Sequence, residues 1–134
     1  MKKKVFILIV SILVVAFFVS GNMWVERVNM ELVKDADVCF RYGNADVMHT
    51  MGEDEVELLK RIFDGKKMYS DDPSCGFSED ISVRFNNEQT FCIAQDTCPI
   101  VYLKEKNKYI KLSENEKKQL YDLLEPYGFF FPYV

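Results

Sequence analysis

The sequence predicts an α+β fold: an antiparallel meander of about five strands with two amphipathic helices on one face, preceded by an apolar N-terminal helix. Three observations predict it. Short runs rich in β-branched and aromatic residues follow one another through the second half of the chain. Two segments, starting near Asp54 and Ser113, instead repeat their apolar residues at helical spacing. Residues 5–19 are apolar apart from Ser11. Strands grouped together, with helices segregated from them, indicate α+β rather than alternating α/β.

Lys2, Lys3 and Lys4 precede that apolar run, and Ser20, Gly21 and Asn22 follow it. A basic n-region before an apolar stretch of this length is the pattern of a secretory signal. Positive charge stays on the inner side, which places the rest of the chain outside. Val19 and Gly21 offer small residues for a signal-peptidase cut. The run up to Val25 nevertheless approaches the ~20 residues needed to span a bilayer, with Trp24 then at the outer interface. Residues 1–25 are therefore expected to be a signal peptide or a transmembrane anchor, and residues 26–134 an extracytoplasmic domain. No cysteine ends the apolar run, which excludes lipoprotein-type attachment.

Ala36 to Tyr42 (ADVCFRY) reads as the first strand, ended by Gly43 and Asn44. From Asp54 to Phe63, Val56, Leu59, Ile62 and Phe63 form a helical stripe. Acidic residues occupy its first turn, Lys60 and Arg61 its last, and Gly65 the C-cap. Lys66 to Asp80 is loop by composition. Ile81 to Phe85 and Phe91 to Ile93 flank Asn86 to Gln89 as a hairpin, and Ile100 to Leu103 and Tyr109 to Leu112 flank a turn at Lys106-Asn107. In the second hairpin Val101 and Leu103 share a face with Ile110 and Leu112, while Tyr102, Lys104, Tyr109 and Lys111 take the other. Ser113 and Glu116 form a capping box before Leu120, Leu123 and Leu124, and Pro126 and Gly128 close that helix.

The chain has 134 residues and 14% aromatics, with 11 Phe and 7 Tyr, which suits one packed core and argues against disorder. Its net charge is −4; without Lys2, Lys3 and Lys4, 14 basic residues face 21 acidic ones, or −7. An acidic surface repels nucleic acid and anionic lipid, so neither is expected as a partner of the domain, though membrane contact is expected through the N-terminal segment.

All four cysteines, Cys39, Cys75, Cys92 and Cys98, follow the apolar run, where an oxidising compartment permits disulfides. Continuing the first hairpin's ladder backward brings residue 75 level with about residue 100, so Cys75 and Cys98 emerge at one end and are expected to pair. Cys39 with Cys92 is the remaining pair. Zinc sites favour close C-x₂₋₄-C pairs and thiol-disulfide enzymes C-x-x-C, and neither spacing occurs.

His49 is the sole histidine; placed in a connection, it reads as a surface residue rather than a catalyst. No nucleophile elbow, zinc-protease motif or phosphate-binding glycine loop appears, and nothing in the residues calls for a cofactor. Asp71, Asp72, Glu79, Asp80 and Asp96 crowd the cysteine loop, but their spacing matches no calcium loop, and Asp96 before Cys98 suits a cap on backbone N–H groups. The ending Tyr127 to Val134 (YGFFFPYV) either closes the core or presents Phe129, Phe130, Phe131 and Tyr133 as an interaction surface; core closure is the preferred reading.

Pro73-Ser74-Cys75-Gly76-Phe77-Ser78-Glu79-Asp80, Thr90-Phe91-Cys92, Asp96-Thr97-Cys98-Pro99 and the ending Tyr127-Gly128-Phe129 with Phe131-Pro132 resemble a group of small exported or envelope-anchored bacterial proteins that carries no established activity. The resemblance runs from about residue 54 to the end. That group has a Cys where this chain has Tyr133 and another where it has Gln95, which implies one staple fewer here. The expectation is a non-enzymatic extracytoplasmic binding or interaction module at the bacterial envelope, its partner an envelope or extracellular protein. An envelope thiol-redox or small hydrolytic enzyme using the cysteine loop is the alternative.

Overall fold

A computed structural model describes residues 2–23, 25–42, 44–70, 77, 79–94, 96 and 98–128. Residues Lys2–Met23 form one helix, α1. It has no polar face, and its side chains over residues 3–16 lie open to solvent, Phe6 by 69% and Leu8 by 63%. Among the described residues no helix is long and apolar enough to cross a membrane.

The domain that follows has β1 (Ala36–Tyr42), β2 (Ala45–Thr50), α2 (Glu53–Phe63), β3 (Ile81–Phe85), β4 (Thr90–Ile93), β5 (Ile100–Leu103), β6 (Lys108–Lys111) and α3 (Glu114–Leu124), with a 3-10 turn over Glu125–Tyr127. The sheet has six antiparallel strands in the order β2-β1-β3-β4-β5-β6. It is α+β, with one strand more than expected. The additional strand is β2, which turns back on β1 with Tyr42 opposite Ala45 and Asp37 opposite Thr50. Its chain ADVMHT carries little β-propensity, but as an edge strand it needs only one neighbour to pair its inner N–H and C=O groups. The chain then crosses the helical layer through α2 and returns on the other side of β1 as β3, so the meander proper is β3 to β6.

Both helices form as their local signals dictate. The Gly52 N–H donates to the Glu55 carboxylate at 2.7 Å to close the first turn of α2. Gly65, at φ +70°, occupies a conformation that only glycine takes without strain and donates its N–H to Val28. At α3, Glu116 accepts from the Ser113 N–H at 2.8 Å, and the Ser113 hydroxyl accepts from the Glu116 N–H at 3.3 Å. Val56, Leu59, Ile62 and Phe63 of α2 and Leu120 and Leu124 of α3 are buried in one core with Val38, Phe40, Val83, Phe85, Phe91, Ile93, Val101, Leu103 and Ile110 of the sheet. At its centre the Phe63 ring meets Phe91 at 4.8 Å and Phe85 edge-on at 6.3 Å, and Phe85 meets Phe91 edge-on at 5.1 Å.

Both hairpins pair in tighter registers than expected, and the second keeps its expected faces. Phe85 takes the N–H donor's place opposite Gln89, and Val101 faces Ile110, with Leu103 facing Lys108. The second register differs by two residues from a Val101–Leu112 pairing, and an even shift leaves every side chain on its face. Residues 26–33 are part of the core rather than a spacer. Glu26 and Val28 exchange backbone hydrogen bonds with residues 65–68, and Val28, Met30 and Val33 are buried.

Candidate functional site

The helices cover one face of the sheet and leave the other to a row of side chains fixed by strand register. Met48, Cys39, Ser82, Cys92, Tyr102 and Tyr109 lie opposite one another across β2, β1, β3, β4, β5 and β6. At the β2 end of this row a shallow pocket of about 140 Å³ is lined by Cys39, Arg41, Asp46, Glu79, Ser82 and Arg84, among others. The Arg41 guanidinium donates to Asp46 at 2.7 Å and lies 4.0 Å from Asp80. Glu79 pairs with Lys104 at 2.7 Å, which holds the chain at Glu79 over the middle of the face. Phe77 stacks on Tyr102 at 5.6 Å.

This geometry corrects the expected pairing of Cys39 with Cys92, which are both free thiols. Ser82 stands between them: Cys39 faces Ser82 across β1 and β3, and Ser82 faces Cys92 across β3 and β4. Two strand spacings of ~4.8 Å put their Cα atoms about 10 Å apart, beyond the ~7 Å that a disulfide tolerates. Cys98 is disulfide-bonded; Cys75, its expected partner, lies outside the described residues. Phe129, Phe130, Phe131 and Tyr133 also lie outside the described residues, as do Asp71 and Asp72.

Cys92 is 2% exposed, and burial pushes its thiol up to about 11, with the Glu79 carboxylate adding to the shift and Lys104 opposing it. Cys39 is pushed up by burial too, against the opposing pull of Arg84. A reactive cysteine needs a depressed pKa and access; both thiols are shifted upward instead, and only Cys39, half-buried, has partial access. No family model, curated protein or solved structure matches the chain. The chemistry of the site must therefore be read from its own side chains.

His49 belongs to β2, opposite Val38, rather than to a loop. Its ring lies 5.6 Å from that of Tyr127, and the Tyr127 hydroxyl donates a short hydrogen bond to Glu55. Burial, the Glu55 hydrogen bond and its negative charge together push Tyr127 up to about 12. Since the same Glu55 oxygen caps α2, this trio latches the 3-10 turn after α3 to the start of α2. The Asp96 carboxylate accepts from the Cys98 N–H at 3.0 Å, the expected cap. Among the described residues no group of three or more His, Cys, Asp or Glu side chains is placed to hold a metal ion.

A second feature, at the β6 edge, gave no motif in the sequence. Tyr69 adds a backbone bridge to Tyr109, its N–H donating at 2.8 Å and its carbonyl accepting at 3.0 Å. The two rings stack at 5.5 Å. Lys111 and Lys67 place their ammonium groups 4.6 and 5.0 Å from the Tyr69 ring centre. Nearby, Lys106 and Lys108 both donate to Glu26, and hydrogen bonding to the two ammonium groups holds its carboxyl down at about 2. Alternation in Lys67-Met68-Tyr69 was the available signal, outweighed by the turn formers that follow it.

Proposed function

We propose that this chain is an exported, non-enzymatic binding module of the bacterial envelope, whose α1 is a secretory signal or membrane anchor and whose outer sheet face receives a protein partner. The observation that carries the reading is the state of that face. Its polar side chains are fixed in place by ion pairs around a shallow pocket, while its two thiols, Cys92 buried and Cys39 half-buried, are both shifted toward the protonated form. A surface preorganised in this way lowers the ordering cost of binding but supplies no activated nucleophile. Export rests on α1, whose apolar side chains from Val5 to Val15 find no cover in the domain; an all-apolar helix needs another apolar environment. The pairing of Cys75 with Cys98 belongs to the same proposal and suits an oxidising compartment.

The test is an N-terminal fusion. Residues 1–25 joined to a phosphatase that is active only after export should give activity, and replacing Leu8 and Val14 with Asp should abolish it. An inactive fusion, with the intact chain recovered from the cytosol, would refute export. Thiol-dependent turnover by the purified protein, lost in Cys39→Ala or Cys92→Ala, would refute the binding reading in favour of the enzyme.

A further inference from the structure

We infer that the Lys67–Tyr69–Lys111 edge of the domain is a docking surface for anionic phospholipid headgroups. The inference rests on the export reading, since it places the domain beside a membrane engaged by α1. Three observations carry it. First, the edge is tied to the root of α1 by the chain itself. Two residues separate Met23, the last of α1, from Glu26, so that the two lie no more than about 11 Å apart along extended chain, and Glu26 is held by Lys106 and Lys108. Whatever surface α1 enters therefore lies against this edge.

Second, the local charge is opposite to the domain's average. Among the described residues Lys104 is paired with Glu79, Lys66 with Glu116, and Lys106 and Lys108 share the single carboxylate of Glu26, while Lys67 and Lys111 have no ion-pair partner. Glu105 is the other acid of the hairpin, and it is turned to accept from the Thr90 N–H at 2.7 Å. Screening confines electrostatics to ~8–10 Å, so a headgroup at this edge meets the lysines and not the distant acids that make the whole chain −4. Third, the ammonium groups are carried on an aromatic base, the stacked Tyr69 and Tyr109 rings. Tyrosine beside lysine is the pairing that settles at a membrane interface, ring at headgroup level and ammonium toward phosphate.

The experiment uses the full-length protein on phosphatidylcholine vesicles with or without phosphatidylglycerol, with flotation reporting association and peptide mapping reporting amine acylation. On anionic vesicles Lys67 and Lys111 should react about fivefold more slowly than on neutral ones, the factor that one surface lysine contributes. Lys118, on α3, should be unchanged, and high salt should remove the protection. The double variant Lys67→Glu/Lys111→Glu should float as before but lose protection at Lys106. Flotation with equal labelling on both vesicles would overturn the docking surface and leave export standing. Equal protection by inorganic phosphate without vesicles would overturn it in favour of a simple anion site. Failure to float with either vesicle would overturn membrane engagement by α1, and this inference with it.

Discussion

Replacing Cys92 with Ala separates a buried inert thiol from a catalytic one. In the folded domain burial raises this thiol from about 9 to about 11, so the folded state holds its proton where the unfolded chain releases it. Stability from a raised pKa is complete below the unfolded value and is lost as pH rises through the folded value. The window is therefore pH 9 to 11, and at ~1.4 kcal/mol per pKa unit the loss amounts to about 2 to 3 kcal/mol. Tyr121 and Tyr127, both pushed up to about 12 chiefly by burial, add losses at the top of this range, which the difference between wild type and variant cancels. At pH 7.5 Cys92→Ala should be less stable by about 1 kcal/mol for the small cavity it leaves. By pH 11 that deficit should vanish or reverse. Urea unfolding of both proteins at pH 7.5, 9, 10 and 11 reads the difference. In parallel, alkylation of Cys92 at pH 8 should run at least about 100-fold slower than that of a model thiol, from thiolate fraction alone. A constant stability difference across this range, or alkylation with an apparent pKa near 9, would refute the reasoning and return the thiol to the list of candidate nucleophiles.

Four further outcomes follow from the packing. Phe63→Ala, at the meeting point of three rings, should cost about 3 to 5 kcal/mol, read as a lower urea midpoint with an unchanged slope. Glu88 sits at φ +63° in the β3–β4 turn, and Glu88→Gly should raise stability by up to about 1 kcal/mol; a loss instead would show that its side chain makes a contact worth more than the strain. Burial raises the Glu116 carboxyl, but Lys66 at 2.6 Å and the Ser113 cap outweigh it and leave the pKa lowered. Glu116→Gln should thus cost about 1 kcal/mol at pH 7, a gap that closes as pH falls through the lowered carboxylate value. Gly65→Ala has open space around it and fails only through its left-handed backbone, so it should cost about 1 kcal/mol in thermal melts.

Most of the elements were legible because their signals are local. The Ser113–Glu116 box, the α2 stripe with Gly65 behind it, and both hairpins of β3 to β6 each rest on residues within about ten positions of one another. The edge strand β2 also left a local trace, since Gly43-Asn44 between two short runs is a hairpin signal, but its low β-propensity and the lone His49 favoured a loop. The apolar run of α1 announced itself, because a nearly unbroken apolar composition is local to the chain. The outer face was less legible. Pairing Cys75 with Cys98 left Cys39 and Cys92 as partners, and nothing nearby in the chain discloses that Ser82 separates them.

What the sequence determined by itself is where helices and strands begin, end and turn their apolar sides, because caps, alternation and helical periodicity act over one or two turns of chain. Strand order and the placement of charge were decided only in the folded state. β1 lies beside β3 because α2 carries the chain across the sheet, and that neighbour sets the 10 Å gap between two thiols. An acidic chain still acquires a basic edge, because register and one backbone bridge bring Lys67, Lys111 and Tyr69 together from positions more than 40 residues apart. Pairing between distant segments follows from the summed burial of the core, and no short window of sequence contains that sum.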